Sequence, residues 1–180
     1  LSEPAWSSAL LVSAGMWRVG GGVVLGLVMT AFVAVGPATA DPSGGVGSAA
    51  IGTAVGTEGL TSDLAAAYTQ AEQEAHRQGV PLWITSGYRS WPHQQMLYGS
   101  AVVQYGGSSE AQRWVLPPER STHVSGTAID VGPYEGAVWL EANGPRWGLC
   151  RTYANEWWHF ERVTTPGGTC PPMIADASLR

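Results

Sequence analysis

The sequence predicts an α+β domain, and three features of its patterning carry that prediction. Apolar residues at helical spacing come first, short runs of strand-forming residues come later, and no internal repeat or heptad pattern links the two. The chain has 180 residues, a length typical of one domain or at most two. A repeat protein and a coiled coil are therefore excluded as interpretations.

The first half of the domain is predicted to hold two helices and one strand. A stripe of Leu, Ala and Tyr at helical spacing predicts a helix over 62–79. The apolar run at 82–85 predicts a short buried strand. A second helix is expected over 90–104, with Ser90 as its N-cap and Pro92 in its first turn.

The second half is predicted to be richer in strands. Residues 108–120 are expected to form a short helix and a loop, and residues 127–131 a strand. A helix is predicted over 135–143, where Gly144 and the proline after it stop it. Residues 148–163, rich in Trp, Tyr, Phe and Val, predict a strand pair or hairpin.

The N-terminal segment 1–40 has the pattern of a targeting sequence. Residues 19–35 carry no charge and are mostly apolar, Arg18 precedes them, and small residues ending at Ala40 resemble a cleavage site. We predict a signal peptide from Met16 to Ala40, with an uncleaved membrane anchor as the alternative. A secreted or cell-envelope protein is expected, associated with a membrane only if this segment is kept.

The remaining chain is divided by composition into a linker and a domain. Residues 41–59 are rich in Gly, Ala, Ser and Thr and contain no aromatic residue, which predicts a flexible linker. Residues 60–180 are predicted to form the folded domain. Nothing in the sequence indicates an oligomer, so we expect a monomer.

Charge and composition exclude several classes of function. The formal net charge is −5, which argues against a nucleic-acid partner. All nine basic residues are arginine, so neither a P-loop lysine nor a Schiff-base lysine is available. The chain also lacks Gly-x-Ser-x-Gly and His-Glu-x-x-His, the patterns of common serine hydrolases and helical zinc proteases.

Two stretches of the chain bring together residues that suit a catalytic metal. His123 and Asp130 lie seven residues apart around Gly126, and Glu156 precedes His159 by three. Two imidazoles and one carboxylate can bind zinc, and a spare carboxylate can act as the base beside the metal's water. Scattered His and Asp residues are usually not ligands, so this pattern alone leaves both interpretations open.

Three motifs together resemble the VanY-type D-alanyl-D-alanine carboxypeptidase family. The first is Ser-x-His-x-x-Gly-x-Ala-x-Asp over 121–130, and the second is Glu-x-x-His over 156–159 with Trp before the His. The third is Ser-Gly-Tyr-Arg-Ser-x-x-x-Gln over 86–94. The resemblance covers roughly 60–170 and implies the lysostaphin/hedgehog-type fold, a small central antiparallel sheet with helices packed on it.

The resemblance also implies a role for each matching residue. It implies Zn²⁺ ligands at His123, Asp130 and His159, and Glu156 as general base and then general acid. It implies Arg89 as a group that holds the substrate or the developing oxyanion, and a substrate subsite lined by Gln94 and Ser121. A guanidinium can stabilise the oxyanion or pair with the substrate's terminal carboxylate, and the sequence leaves both roles of Arg89 open.

The two cysteines, Cys150 and Cys170, are predicted to form a disulfide. A lone pair of cysteines in an exported chain is usually bridged. The alternative is two reduced thiols, one of them buried. The bridge would close a loop that contains Glu156 and His159.

The resemblance implies hydrolysis of the terminal D-Ala-D-Ala amide of peptidoglycan stem peptides. An L,D-carboxypeptidase, a D,D-dipeptidase or a peptidoglycan endopeptidase would use the same zinc residues, so these alternatives stay open. A wall-binding module that keeps the zinc without catalysis is the alternative from another class, because the fold itself does not dictate function.

Overall fold

The computed structural model of the chain describes residues 53–180. The predicted targeting segment 1–40, which contains the predicted signal peptide Met16 to Ala40, lies outside the described residues. Within 53–180, none of the helices has the length and hydropathy needed to cross a membrane.

Within residues 53–180, four α-helices form where the sequence patterns predict them. They are α1 Ser62–Arg77, α2 Trp91–Gln104, α3 Ser108–Ala111 and α4 Tyr134–Asn143. Short 3-10 helices follow at Pro118–Arg120, Gly144–Trp147 and Ala177–Leu179. Ser90 caps α2 as predicted, since its side chain accepts a hydrogen bond from the His93 backbone N–H.

The four strands of the described residues form one antiparallel sheet, which confirms the predicted α+β class. They are β1 Trp83–Ser86, β2 Ala128–Gly132, β3 Leu149–Arg151 and β4 His159–Arg162. Their spatial order is β1-β2-β4-β3. The register pairs Asp130 with His159, so two residues singled out by the sequence motifs are direct neighbours across β2 and β4.

One face of the sheet packs against the helices and forms the hydrophobic core with them. Alternation along β2 and β4 turns Ile129, Val131 and Phe160 to this face, where they pack with residues of α1 and α4. Because successive strand residues point to opposite faces, Asp130 and His159 point the other way. The core therefore fixes the strands from one side and leaves the opposite side to polar residues.

Residues 53–59 belong to the folded domain, so the predicted flexible linker is wrong for this stretch. Ala54 is buried, and its backbone N–H donates to Thr69 Oγ1 at 3.1 Å. Gly59 has a φ of 75°, and a side chain there would meet the Tyr88 ring within 3 Å. The small residues of this stretch allow close packing, whereas their composition alone suggests flexibility.

Cys150 and Cys170 form the predicted disulfide, with Cα atoms 5.7 Å apart. The bridge joins β3 to the segment after β4. Further along that segment, Ile174 pairs with Tyr153 in an isolated parallel bridge. The chain after β4 is therefore held beside the loop that carries Glu156.

Candidate metal centre

Three buried side chains converge on one point above the polar face of the sheet. His123 comes from the loop before β2, Asp130 from β2, and His159 from the start of β4. Asp130 Oδ1 lies 3.3 Å from His123 Nε2 and 3.1 Å from His159 Nδ1. The donor atoms of the three residues all lie within 4.8 Å of one another.

Two of the three distances between these donor atoms fit a tetrahedral metal ion. Ligand bonds of about 2.0–2.2 Å at tetrahedral angles separate donor atoms by roughly 3.3 Å. The two distances from Asp130 Oδ1 match that value. The three residues thus form a candidate metal site with the ligand set of a catalytic zinc centre, leaving a fourth position for water or substrate.

Each of the three side chains is held from behind by a second group. His123 Nδ1 lies 2.8 Å from the Gly87 carbonyl oxygen, and His159 Nε2 lies 2.9 Å from Glu161 Oε1. The other nitrogen of each ring, His123 Nε2 and His159 Nδ1, faces Asp130. Outer partners of this kind fix the tautomer and orientation of a metal-binding histidine.

Arg89 holds the carboxylate of the triad. Its Nη2 donates to Asp130 Oδ2 at 2.5 Å, so the other oxygen, Oδ1, is the one that faces the histidines. Arg89 also donates to Ser86 Oγ at 2.8 Å and to Gln94 Oε1 at 3.3 Å. The contact with Asp130 fixes the guanidinium beside the candidate metal position. The sequence motifs did not predict this contact.

Mutual hydrogen bonding determines the charges of the triad. Burial disfavours the charged form of Asp130, but hydrogen bonds from His123 and His159 outweigh it and hold the pKa of Asp130 far below its usual range. Burial likewise lowers the pKa of His159, yet bonds to Asp130 and Glu161 outweigh burial and raise that pKa to about 9. Without a metal ion, His159 is therefore protonated at neutral pH, and its positive charge balances the carboxylate of Asp130.

Glu156 lies at the edge of this cluster, in the loop between β3 and β4. Its side chain is 6% exposed, and Oε2 lies 3.7 Å from His159 Nδ1. Burial is the main reason that the pKa of Glu156 is raised to about 7. The nearby His159 lowers this pKa in part, and the negative charge of Asp130 raises it further. A carboxyl group with this pKa can both take up and release a proton near neutral pH.

A cavity of about 490 Å³ opens over the triad and Glu156. Arg89, Gln94 and Ser121 line it together with the triad, so the structure brings together all the residues singled out by the three motifs. Gln94 is almost fully buried, and its Nε2 donates to the Leu116 carbonyl at 2.7 Å. Gln94 thus braces Arg89 from within the wall of the cavity.

Sequence reasoning missed the groups behind the ligands. Glu161 is the clearest case: it is 2% exposed and contacts His159 directly. Strand alternation gave one signal for it, because a residue two positions after His159 on a strand must share its face. The Gly87 carbonyl gave no signal, because a backbone contact leaves no trace in residue type.

Comparison with known proteins identifies the family. Residues 57–164, more than half of the chain, match the family described as VanY: D-alanyl-D-alanine carboxypeptidase. The chain belongs to this family. The resemblance on the three motifs is thereby confirmed.

A curated relative in the family is a D-alanyl-D-alanine carboxypeptidase of Enterococcus faecalis. It is 29% identical, and the match covers 53% of this chain and 45% of the relative. The chain therefore spans less than half the length of that relative.

Solved VanY structures share the fold. A variant of the vancomycin-resistance D,D-pentapeptidase VanY in complex with Zn(II) is 25% identical, with a TM-score of 0.54 over 58% of this chain and 73% of that one. VanYB in complex with D-Alanine-D-Alanine is 26% identical, with a TM-score of 0.55 over 58% of this chain and 72% of that one. The LD-carboxypeptidase LdcB also shares the fold. It is 24% identical, with a TM-score of 0.51 over 58% of this chain and 59% of that one.

Proposed function

We propose that this protein is an exported, zinc-dependent carboxypeptidase that releases the terminal D-alanine from peptidoglycan stem peptides ending in D-Ala-D-Ala. The observation that carries the proposal is the convergence of His123, Asp130 and His159 beside Glu156 in one cavity. Membership of the VanY family supports the choice of substrate, and the Zn(II) complex of a VanY relative supports the choice of metal.

Zinc suits the donor set that the chain presents. Two imidazole nitrogens and one carboxylate oxygen would hold it, and their partners already orient the donor atoms inward. When bound, zinc supplies a Lewis acid for the peptide carbonyl and lowers the pKa of water to about 7.

Glu156 is proposed to carry the proton. As a carboxylate it removes a proton from the attacking water, and as a carboxylic acid it gives that proton to the nitrogen of the departing D-alanine. A pKa near 7 suits both steps, because neither form of the group is strongly favoured at neutral pH.

Arg89 is proposed to stabilise the charge that develops on the carbonyl oxygen. Its hydrogen bond to Asp130 places the guanidinium directly beside the candidate metal position. A fixed cation there stabilises negative charge without having to reorganise during the reaction. Of the two roles that the sequence left open, this contact favours the oxyanion role over binding of a distant carboxylate.

Export is proposed from two independent features. Residues 1–40 have the pattern of a targeting segment, with a signal peptide from Met16 to Ala40. Cys150 and Cys170 are bridged, and disulfides persist mainly in oxidising compartments outside the cytosol. Both features fit a substrate that is located in the cell wall.

The test is a panel of synthetic wall peptides incubated with the zinc-loaded protein. The panel holds a pentapeptide ending in D-Ala-D-Ala, the matching tetrapeptide with one D-Ala, free D-Ala-D-Ala, and a cross-linked dimer. Release of one D-alanine from the pentapeptide, abolished by a chelator and in Glu156→Gln, is expected. Cleavage of only one of the other three substrates would replace the proposal with an L,D-carboxypeptidase, a dipeptidase or an endopeptidase, respectively. Zinc binding without cleavage of any substrate would instead indicate a binding module.

A further inference from the structure

A buried carboxylate lies directly behind one of the candidate metal ligands. Glu161 follows His159 by two residues on β4, shares its face of the sheet, and has a side chain only 3% exposed. Its Oε1 lies 2.9 Å from His159 Nε2, on the side of the ring opposite Asp130. The residues that line the cavity over the triad do not include Glu161, so this carboxylate is not placed to touch a substrate there.

The remaining hydrogen-bonding capacity of Glu161 is filled by the chain itself. Arg180 Nη2 donates to Glu161 Oε2 at 2.8 Å, and Arg180 Nη1 donates to Oε1. Thr122 Oγ1 donates to Oε1 at 3.1 Å, and the Tyr153 hydroxyl accepts from Arg180 Nη1 at 2.8 Å. A buried carboxylate held by two guanidinium nitrogens is fixed in direction as well as in charge.

Arg180 is itself delivered to this position by a docked segment. Arg120 Nη2 donates to the backbone carbonyl oxygens of Ser178, at 3.2 Å, and Arg180, at 2.7 Å. Arg113 Nε donates to Asp176 Oδ2 at 3.0 Å, and Asp176 Oδ1 accepts from the Ser178 backbone N–H. Residues 176–180 are therefore anchored by two arginines that precede β2, far from them in the sequence.

We propose that Glu161, held by Arg180, is a positioning residue that orients His159 with Nδ1 toward the metal. The inference rests on the proposed zinc site. A carboxylate accepts a hydrogen bond but cannot donate one, so it requires a hydrogen on His159 Nε2 and leaves the lone pair on Nδ1 free for the metal. The same contact makes the ring a stronger ligand, because it supports the positive charge that binding shifts onto the imidazole.

Arg180 stabilises this arrangement by pairing with the buried negative charge. A carboxylate inside the protein is costly unless it is paired and fully hydrogen-bonded. The guanidinium meets that requirement and prevents Glu161 from turning away from His159. The polar face thus carries two arginine–carboxylate pairs: Arg89 with Asp130 at the cavity, and Arg180 with Glu161 behind His159.

The test measures zinc affinity by competition with a chromophoric chelator for the wild type, Glu161→Gln and Arg180→Ala. Glutamine can donate as well as accept, so it no longer selects one tautomer of His159. We expect zinc to bind about 10–100-fold more weakly in Glu161→Gln, the range typical for loss of an outer partner, and to be weakened less in Arg180→Ala. Arg162→Gln is the matched control, because Arg162 is on the same strand but pairs with the exposed Asp63.

A second readout separates positioning from a general structural role. Long-range ¹H–¹⁵N spectra of the zinc-loaded, histidine-labelled protein report which nitrogen of His159 binds the metal. We expect metal on Nδ1 and hydrogen on Nε2 in the wild type. Thermal unfolding of the metal-free variants checks that they fold. If Glu161→Gln does not fold, Arg180→Ala carries the test, since the Arg180 side chain is 36% exposed.

Two results would overturn the inference while leaving the proposed function intact. One is that Glu161→Gln and Arg180→Ala fold and bind zinc with an affinity within about twofold of wild type, no further from it than the control Arg162→Gln. The other is zinc bound to Nε2 of His159 in the wild type. A wild-type protein that binds no zinc would overturn both the proposed function and this inference.

Discussion

The two faces of the sheet are both buried, but different forces hold them. On the core face, Ile129, Val131 and Phe160 are stabilised by the removal of apolar surface from water. On the site face, Asp130, His159 and Glu161 are buried as a charged network in which every group has a partner. The same two strands, β2 and β4, supply both sets of residues by simple alternation.

The difference shows how the domain separates stability from function. Apolar packing stabilises the fold by removing the core residues from water, and this burial fixes β2 and β4 in one register. A buried ionic network contributes little net stability, because the desolvation of its charges offsets their attraction. The site face therefore depends on the core face for its geometry, and we expect different consequences when each face is altered.

The largest effect is expected on the site face, from Glu156→Gln. The variant keeps the size of the side chain but cannot accept a proton, so we expect kcat to fall by about 10²–10⁴-fold. Zinc content and the free energy of unfolding should stay close to wild type. Steady-state rates of D-alanine release, with metal analysis of the same samples, measure this, and a variant with more than about a tenth of wild-type kcat would contradict the role of Glu156.

The core face should respond in the opposite way, and Phe160→Ala is the sharpest substitution there. Phe160 is fully buried on the core side of β4, between His159 and Glu161 in the sequence, so its removal leaves a cavity behind β4. We expect a loss of about 3–5 kcal/mol in the free energy of unfolding, measured by urea titration. Zinc affinity of the folded fraction should change less than in Glu161→Gln. The reverse order of the two effects would remove the distinction between the faces.

The disulfide is expected to stabilise the domain without entering its chemistry. Replacing both Cys150 and Cys170 with Ser opens a loop whose ends lie 20 residues apart in the sequence. We expect a loss of about 2–4 kcal/mol in the free energy of unfolding. At a temperature where the variant is folded, kcat should lie within about twofold of wild type. A large loss of kcat in the folded variant would show that the bridge positions Glu156 as well.

The smallest effect is a dependence of stability on pH that appears only without metal. The folded-state pKa of His159 is raised from 6.5 to about 9, so its protonation stabilises the metal-free protein fully below the unfolded pKa. That contribution is lost as pH rises through about 9. We expect the metal-free protein to lose on the order of 1–3 kcal/mol between about pH 6 and pH 9.

Urea unfolding of metal-free wild type and His159→Gln at both pH values measures this effect. The variant lacks the titrating ring and should show a weaker decrease. Equal or greater stability of the metal-free wild type at the higher pH would contradict the assigned charge of His159.

Sequence patterns were sufficient for the elements of this fold and for the residues that converge in its cavity. Helical spacing, a cap at Ser90 and strand-forming runs set the helices and strands, because these are local properties of the chain. The motifs that resemble the family led to Glu156 and the three candidate ligands, because each motif names residue types at a set spacing along the chain.

The parts that sequence did not predict depend on contacts between distant positions. Arg180 reaches Glu161 only because Arg120 and Arg113 anchor the segment 176–180, and no local pattern encodes those pairs. The prediction of a flexible linker failed at residues 53–59 for a similar reason. Their small side chains look flexible in isolation, and only the position of Tyr88 shows that the space is filled.

The proposed zinc centre is tested most directly by a zinc titration of the metal-free protein that follows D-alanine release from the pentapeptide. We predict that release rises with added zinc and reaches a plateau at about one equivalent. Glu156→Gln should bind the same amount of zinc and release almost no D-alanine. D-alanine release that is complete before zinc is added, or unchanged by its addition, would contradict the claim that His123, Asp130 and His159 form the zinc centre of a peptidase.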